Sequence, residues 1–310
     1  MAKLPYRFNR FGDIEKEVNT MDIKKPKIAF FGTGLMGTPM AARLLDAGYE
    51  LAAYNRTASK TEPLKEKGAT VAQKPEDAAR SADVLITMLA DFHATADVLS
   101  DIPPEVLKDK TLIQMGTISS DQSLQIKKQM DAAGCDYLEA PVLGSIPAAT
   151  DGTLFVLVGG TQHQFDTWDK LLSHIGDKRY FMGEVGKAAA VKLAFNHLTV
   201  AIMAGFSMSL GLVREKGVDV DLFMTILRQT AMYTQNYDKK LDFMLQRDFS
   251  DTNFPVRLLL KDTNLMLEEF RKAGINTLPL EGTRDVIHQT VEHGEGDLDY
   301  SAIYDTIHPK

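Results

Sequence analysis

Apolar positions along the chain follow two regimes. Between Lys27 and about Arg179, short apolar runs alternate with segments of helical period. Ile28–Phe31 is wholly apolar, runs at residues 50–54, 70–72, 83–89, 111–115 and 154–158 are mostly apolar, and another strand begins at 136–138. Continuous apolar runs of this length predict strands covered on both faces, and Pro75–Arg80 reads as a helix start between two of them. This alternation predicts a parallel sheet built from βαβ units, with residues 154–158 as its last strong strand. Beyond Gly183 the period is helical only. Residues 188–213 are apolar nearly all round and carry one charge, Lys192, which predicts one long central helix. Further helices are predicted over 219–229, 233–245, 258–273 and 282–293. The run at 188–213 is long enough to cross a bilayer. Lys192, Asn196 and His197 interrupt it, so it is read as the core helix of an all-helical domain, with no membrane partner.

The first strand leads directly into Gly32-Thr33-Gly34-Leu35-Met36-Gly37, after which Met40, Leu44 and Leu45 recur at helical spacing. A G-x-G-x-x-G turn between a strand and a helix is the fingerprint of a dinucleotide-binding, Rossmann-type unit. The free N–H groups and positive end of that helix suit a pyrophosphate. The end of the second strand reads Asn55-Arg56-Thr57, where an NAD site usually places a carboxylate for the ribose 2′-OH. Arg56 can instead pair with a 2′-phosphate, and Asn55 and Thr57 can add neutral hydrogen bonds, so NADP(H) is expected in preference to NAD(H). Met88, Leu89 and Thr117 follow two further strands, at the carboxyl ends where ligands of open α/β sheets bind. The expected organisation is an N-terminal extension over 1–25, a dinucleotide-binding domain over 26–185, and an all-α substrate and oligomerisation domain over 186–310.

Composition narrows the remaining classes. The chain has 310 residues, 44% hydrophobic and 25% charged, with a formal net charge of −7 and no Lys/Arg block, which argues against a nucleic-acid partner. Cys135 is the one cysteine, so no intramolecular disulfide forms, and a reducing, cytoplasmic location is expected. Residues 1–25 contain no apolar run and are not a secretory signal; Asp13, Glu15 and Glu17 argue against an organellar transit peptide. The long apolar helix and 14 methionines point to a homodimer or homotetramer. No set of His, Asp, Glu or Cys has metal-ligand spacing.

Lys192 and Asn196 lie four residues apart, on one face of the long helix. An ammonium in apolar surroundings has to be paired, reach solvent, or shift its pKa. His197 falls on a different face and is read as a packing residue. The chain resembles the β-hydroxyacid dehydrogenase family (3-hydroxyisobutyrate dehydrogenase-like), and particularly its glyoxylate/succinic semialdehyde reductase branch. The resemblance rests on four ordered blocks: GTGLMGTPM from Gly32, EAPVLGSIPAATDGTL from Glu139, GKAAAVKLAFN from Gly186, and KDTNLML from Lys261. It implies that Lys192 is the catalytic lysine and that Asn196 orients substrate. It further implies that Gly144 and Ser145 grip a substrate carboxylate, that Thr117 sits near the nicotinamide, and that Lys261 lies beside the cofactor. The family often has serine ahead of the glycine of its Pro-Val loop; here Leu143 stands there.

Those roles imply an NADPH-dependent reductase of a small carboxylate-bearing aldehyde such as glyoxylate or succinic semialdehyde. Lys192 would be the general acid in reduction and the base in oxidation. The alternatives are an NAD(P)-dependent dehydrogenase of 3-hydroxyisobutyrate or another β-hydroxyacid, an imine reductase, and a non-catalytic dehydrogenase-like assembly module. Imine reductases typically carry Asp or Tyr where Lys192 stands, and non-catalytic relatives have lost the lysine.

Overall fold

Each apolar run of the N-terminal half becomes a strand, because alternate residues bury against two different cores. The computed structural model describes residues 25–309 and, ahead of them, the antiparallel pairing of β1 (Arg7–Phe8) with β2 (Ile14–Glu15). The rest of the expected extension over 1–25, Lys25 excepted, lies outside the described residues. The main sheet comprises β3 (Ile28–Phe31), β4 (Leu51–Tyr54), β5 (Thr70–Val71), β6 (Val84–Thr87), β7 (Thr111–Gln114), β8 (Asp136–Glu139), β9 (Val142–Leu143), β10 (Phe155–Gly159) and β11 (Lys178–Gly183). Its order is β11-β10-β8-β7-β6-β3-β4-β5, with β9 pairing only β10. From β5 to β8 every neighbour is parallel. Ile28, Phe30, Val84, Ile86 and Ile113 enter one core, and Ala29, Phe31, Leu85 and Leu112 enter the core on the opposite face. A sheet buried on both faces has no polar alternation, which is why these strands are legible as solid runs.

The sheet departs from the expected parallel pattern at one end. β10 runs antiparallel to β8, meeting it at Gly159 and Glu139, and β9 doubles back antiparallel along β10. β11 then pairs parallel to β10 as the sheet's edge. Residues 154–158 are therefore not the last strand. β11 reads Lys-Arg-Tyr-Phe-Met-Gly with no residue buried, and its apolar stretch of three residues is too short to stand out.

Helices α1 (Gly37–Asp46), α2 (Glu62–Glu66), α3 (Pro75–Arg80), α4 (Phe92–Ser100), α5 (Pro104–Leu107), α6 (Ser120–Ala132), α7 (Ile146–Asp151) and α8 (Gln162–Leu172) accompany the strands. The remainder is helical: α9 (Lys187–Glu215), α10 (Val220–Leu227), α11 (Gln235–Gln246), α12 (Val256–Lys272), α13 (Leu278–Thr290) and α14 (Ile303–Ile307). By length and composition α9 could cross a bilayer. Leu193, Val200, Met203, Phe206 and Leu210 of α9 instead join Met224, Met244, Leu259, Met266 and Ile287 in a third core. Each such side chain contributes ~1.5–3 kcal/mol on burial.

The helical region also encloses an ion pair. Lys240 on α11 donates to Asp299 at 2.8 Å, with both side chains almost wholly buried. Asp299 accepts further from the N–H of Asn253 and from the N–H and hydroxyl of Ser301. The ammonium lies 4.7 Å from the Phe243 ring centre and 4.9 Å from that of Tyr300. This network draws α11, the segment before α12 and the C-terminal turn together.

Candidate active site

The carboxyl ends of β3, β6 and β7 come together because glycines let their backbones touch. Gly32 has φ +99°, and a Cβ there would stand 2.3 Å from the Met88 carbonyl oxygen. A Cβ on Gly116 would stand 2.7 Å from the Leu89 carbonyl oxygen. The glycine turn, Met88-Leu89 and Gly116-Thr117 thus line one edge, as the sequence predicts. Gly37 permits the close packing of α1 on the turn, since a Cβ would fall 1.9 Å from the Gly32 carbonyl oxygen.

The turn fits a dinucleotide. A Cβ on Gly34 would meet nothing within 4 Å, so its backbone faces open space. The N–H groups of Gly34, Leu35 and Met36 make no hydrogen bond among the described residues, and α1 has no side-chain cap. Thr33 is 2% exposed, and its hydroxyl also lacks a partner. These are unspent donors at a helix start, the arrangement that binds phosphate oxygens. The Asn55 side chain braces the turn: its Oδ1 accepts from the Thr33 N–H at 3.1 Å, and its Nδ2 donates to the Thr57 carbonyl at 3.0 Å. Arg56 and Thr57 follow on the exposed surface beyond β4. Arg56 makes no hydrogen bond or ion pair with any described residue, so its guanidinium is available to an anion.

From the helical side, α9 and α12 bring three further residues to this edge. Lys261 donates across to the Thr117 carbonyl at 2.7 Å. Its Nζ also stands 2.7 Å from Asp262 Oδ1, an ion pair without hydrogen-bond geometry. Asp262 is 2% exposed, and its Oδ2 accepts from Asn196 Nδ2 at 2.7 Å. Asp262 therefore joins the two helices while orienting both Asn196 and Lys261. The sequence singles out its neighbour Lys261 and passes over Asp262 itself; a carboxylate beside a lysine reads as an ordinary solvated pair until the fold buries it.

Lys192 lies in the field of that pair. Its side chain is half-buried, and its ammonium makes no hydrogen bond or ion pair with any described residue. Desolvation, abetted by the Lys261 charge and opposed by Asp262, lowers its pKa to about 8. Lys192 is thus densely surrounded yet still accessible, and an ammonium poised near neutrality can give and take a proton.

Gly144 and Ser145 lie on the exposed loop between β9 and α7. The Ser145 hydroxyl makes no hydrogen bond among the described residues, and no hydrogen bond joins this loop to Lys192. His197 packs edge-on against Phe270, with ring centres 5.1 Å apart, consistent with a packing role. Cys135 is buried, and burial pushes its thiol up to about 12, so it is no nucleophile at neutral pH. Among the described residues no three His, Cys, Asp or Glu side chains group as metal ligands.

Two family models match the chain. Residues 27–183 match that of the NAD binding domain of 6-phosphogluconate dehydrogenase. Residues 186–307 match that described as the NAD-binding of NADP-dependent 3-hydroxyisobutyrate dehydrogenase. The chain is 30% identical over 283 residues to glyoxylate/succinic semialdehyde reductase 2, chloroplastic, of Arabidopsis thaliana, covering 90% of this chain and 79% of that protein. It is 35% identical over 288 residues to an uncharacterized oxidoreductase of Bacillus subtilis (strain 168), covering 91% and 99%. Among solved structures, a 3-hydroxyisobutyrate dehydrogenase from Salmonella typhimurium superposes with a TM-score of 0.82 at 19% identity, over 91% of this chain and 99% of that one.

Proposed function

Because the chain belongs to the β-hydroxyacid dehydrogenase family and is an NAD(P)-dependent oxidoreductase, we propose that it is an NADPH-dependent reductase of small carboxylate-bearing aldehydes. Glyoxylate and succinic semialdehyde are the substrates proposed. When bound, the reduced nicotinamide supplies the hydride that converts the carbonyl to an alcohol. Lys192 stabilises the negative charge growing on the carbonyl oxygen and donates the proton, and in the reverse direction it removes one. Asn196, fixed by Asp262, orients the substrate oxygen. The Gly144 and Ser145 loop takes the substrate carboxylate through N–H and hydroxyl donors. Glycines 32, 34 and 37 with Thr33, Leu35 and Met36 hold the pyrophosphate, and Met88, Leu89, Thr117 and Lys261 border the nicotinamide. Arg56 receives the 2′-phosphate.

The observation carrying this reading is the unpartnered Lys192 ammonium, with its pKa drawn down to about 8 beside the Asp262–Lys261 pair. Two basic side chains against one buried carboxylate leave the cleft locally positive in a protein of net charge −7, which favours a small anion. Lys192→Ala should reduce kcat with glyoxylate or succinic semialdehyde by at least about a hundredfold, the scale of general acid catalysis. NADPH binding, followed by nicotinamide fluorescence, should persist. A normal kcat in that variant removes the lysine mechanism; turnover of 3-hydroxyisobutyrate alone would move the assignment to the dehydrogenase branch. We further propose that the protein acts in the cytoplasm as a homodimer or homotetramer, divided near residue 185 into its cofactor and helical units.

A further inference from the structure

Helix α9 begins without a cap of its own. Its N-cap is Gly186 at φ +100°, which has no side chain to offer, and its first turn contains a lysine and no acidic residue. The Lys187 N–H donates to the Glu184 carbonyl at 3.2 Å, but three further N–H groups and a basic side chain at the positive end of a 29-residue helix need an acceptor. The missing acceptor comes from β8. Glu139 is 2% exposed, and its Oε1 accepts from the N–H groups of Gly186 and Ala188, each at 2.8 Å, and of Ala189 at 3.2 Å. Its Oε2 accepts from the Ser123 hydroxyl of α6, which in turn is 2.8 Å from the Tyr137 hydroxyl.

The surroundings are shaped for this carboxylate. The antiparallel crossing places Gly159 opposite Glu139, and a Cβ there would stand 2.4 Å from Oε1. The Gly186 carbonyl accepts from the Ser120 hydroxyl at 3.0 Å, and Ser120 is held by Glu269 of α12. The first turn of α9 is therefore tied to the sheet, to α6 and to the helix that carries Lys261 and Asp262. Lys192 is four residues beyond Ala188 and so lies above it on the same helical face. Between Ala189 and Lys192 the helix rises ~4.5 Å, too short a span to absorb a shift of its start.

We propose that Glu139 is the positioning residue for Lys192, setting the depth of its ammonium in the cleft by fixing where α9 begins. The inference rests on Lys192 being the proton donor proposed above. It assigns Glu139 no contact with substrate or cofactor, and the cofactor-binding turn on β3 and α1 shares none of its hydrogen bonds.

The test compares Glu139→Ala, Glu139→Asp and Glu139→Gln with the parent and with Lys192→Ala, in the full chain. Readouts are kcat per folded protein and NADPH affinity by fluorescence. Glu139→Ala should lower kcat at least about tenfold, since an ångström of misplacement costs up to about a hundredfold, while the NADPH Kd stays within about twofold. Glu139→Gln keeps one oxygen for the three N–H groups and turns its amide to the Ser123 hydroxyl, so it should restore kcat to within about threefold of the parent. Glu139→Asp withdraws the oxygen by one methylene and should fall between; it carries the test if Glu139→Ala does not fold. A kcat within about threefold of the parent in both Glu139→Ala and Glu139→Asp overturns the proposal. So does a Glu139→Gln variant as slow as Glu139→Ala, or an NADPH affinity that falls in step with kcat. An inactive Lys192→Ala beside a fully active Glu139→Ala refutes this inference alone, whereas an active Lys192→Ala refutes the functional reading beneath it.

Discussion

At the scale of single residues, the site turns on where two lysine charges sit relative to one carboxylate. The proposed mechanism requires a protonated Lys192 for reduction, so kcat/KM in that direction should hold at lower pH and fall as pH rises through about 8. An ordinary lysine would carry the plateau to about 10.4. Lys261→Met removes a repelling charge and should move that limb to higher pH; Asp262→Asn removes the attracting one and should move it lower. A pH series of the three proteins checks both signs. On the cofactor side, Arg56→Ala should weaken NADPH much more than NADH; equal losses would undo the 2′-phosphate assignment. Lys192 and Asn196 are legible in the sequence because helical spacing places them on one face, and a lone charge in an apolar run demands explanation. Asp262 and Glu139 are not, since Asp262 reaches Asn196, and Glu139 the start of α9, across dozens of residues that no local period spans.

At the scale of elements, the strand, glycine turn and helix from Ile28 to Asp46 form a unit whose glycines do separate jobs. A methyl group on Gly37 would fall 1.9 Å from backbone at Gly32, and backbone cannot yield. Gly37→Ala should therefore cost about 1–3 kcal/mol of stability as well as NADPH affinity. A methyl group on Gly34 meets only open space. Gly34→Ala should melt with the parent yet bind NADPH more weakly, because the methyl would enter the space proposed for the pyrophosphate; melting curves with and without NADPH distinguish the two. The parallel half of the sheet was legible because both its faces are buried. The antiparallel turn at β9 and β10 and the edge strand β11 were not, because two-residue strands and exposed edges carry no hydrophobic signature.

At the scale of the whole molecule, part of α9 remains without a partner among the described residues. Leu198, Ala201, Gly205, Met208 and Leu212 recur every three or four residues and are all exposed; Met208 is 67% exposed. Leu222 and Ile226 of α10 add further exposed apolar surface. A stripe of this spacing suits a second helix. Light scattering should find a dimer or larger assembly, and Met208→Glu with Leu212→Glu should shift it to monomer; a monomeric parent would end that reading.

The enclosed Lys240–Asp299 pair bears on how the chain can be shortened. Any truncation that removes residues from Asp299 onward strips an ammonium of its counter-ion inside a dry interior, a loss of about 3–5 kcal/mol. It also releases the N–H of Asn253, just ahead of the helix bearing Lys261 and Asp262. Residues from Asp299 to Pro309 thus brace the helical core from within, and trimming them to aid crystallisation should silence the enzyme from a distance.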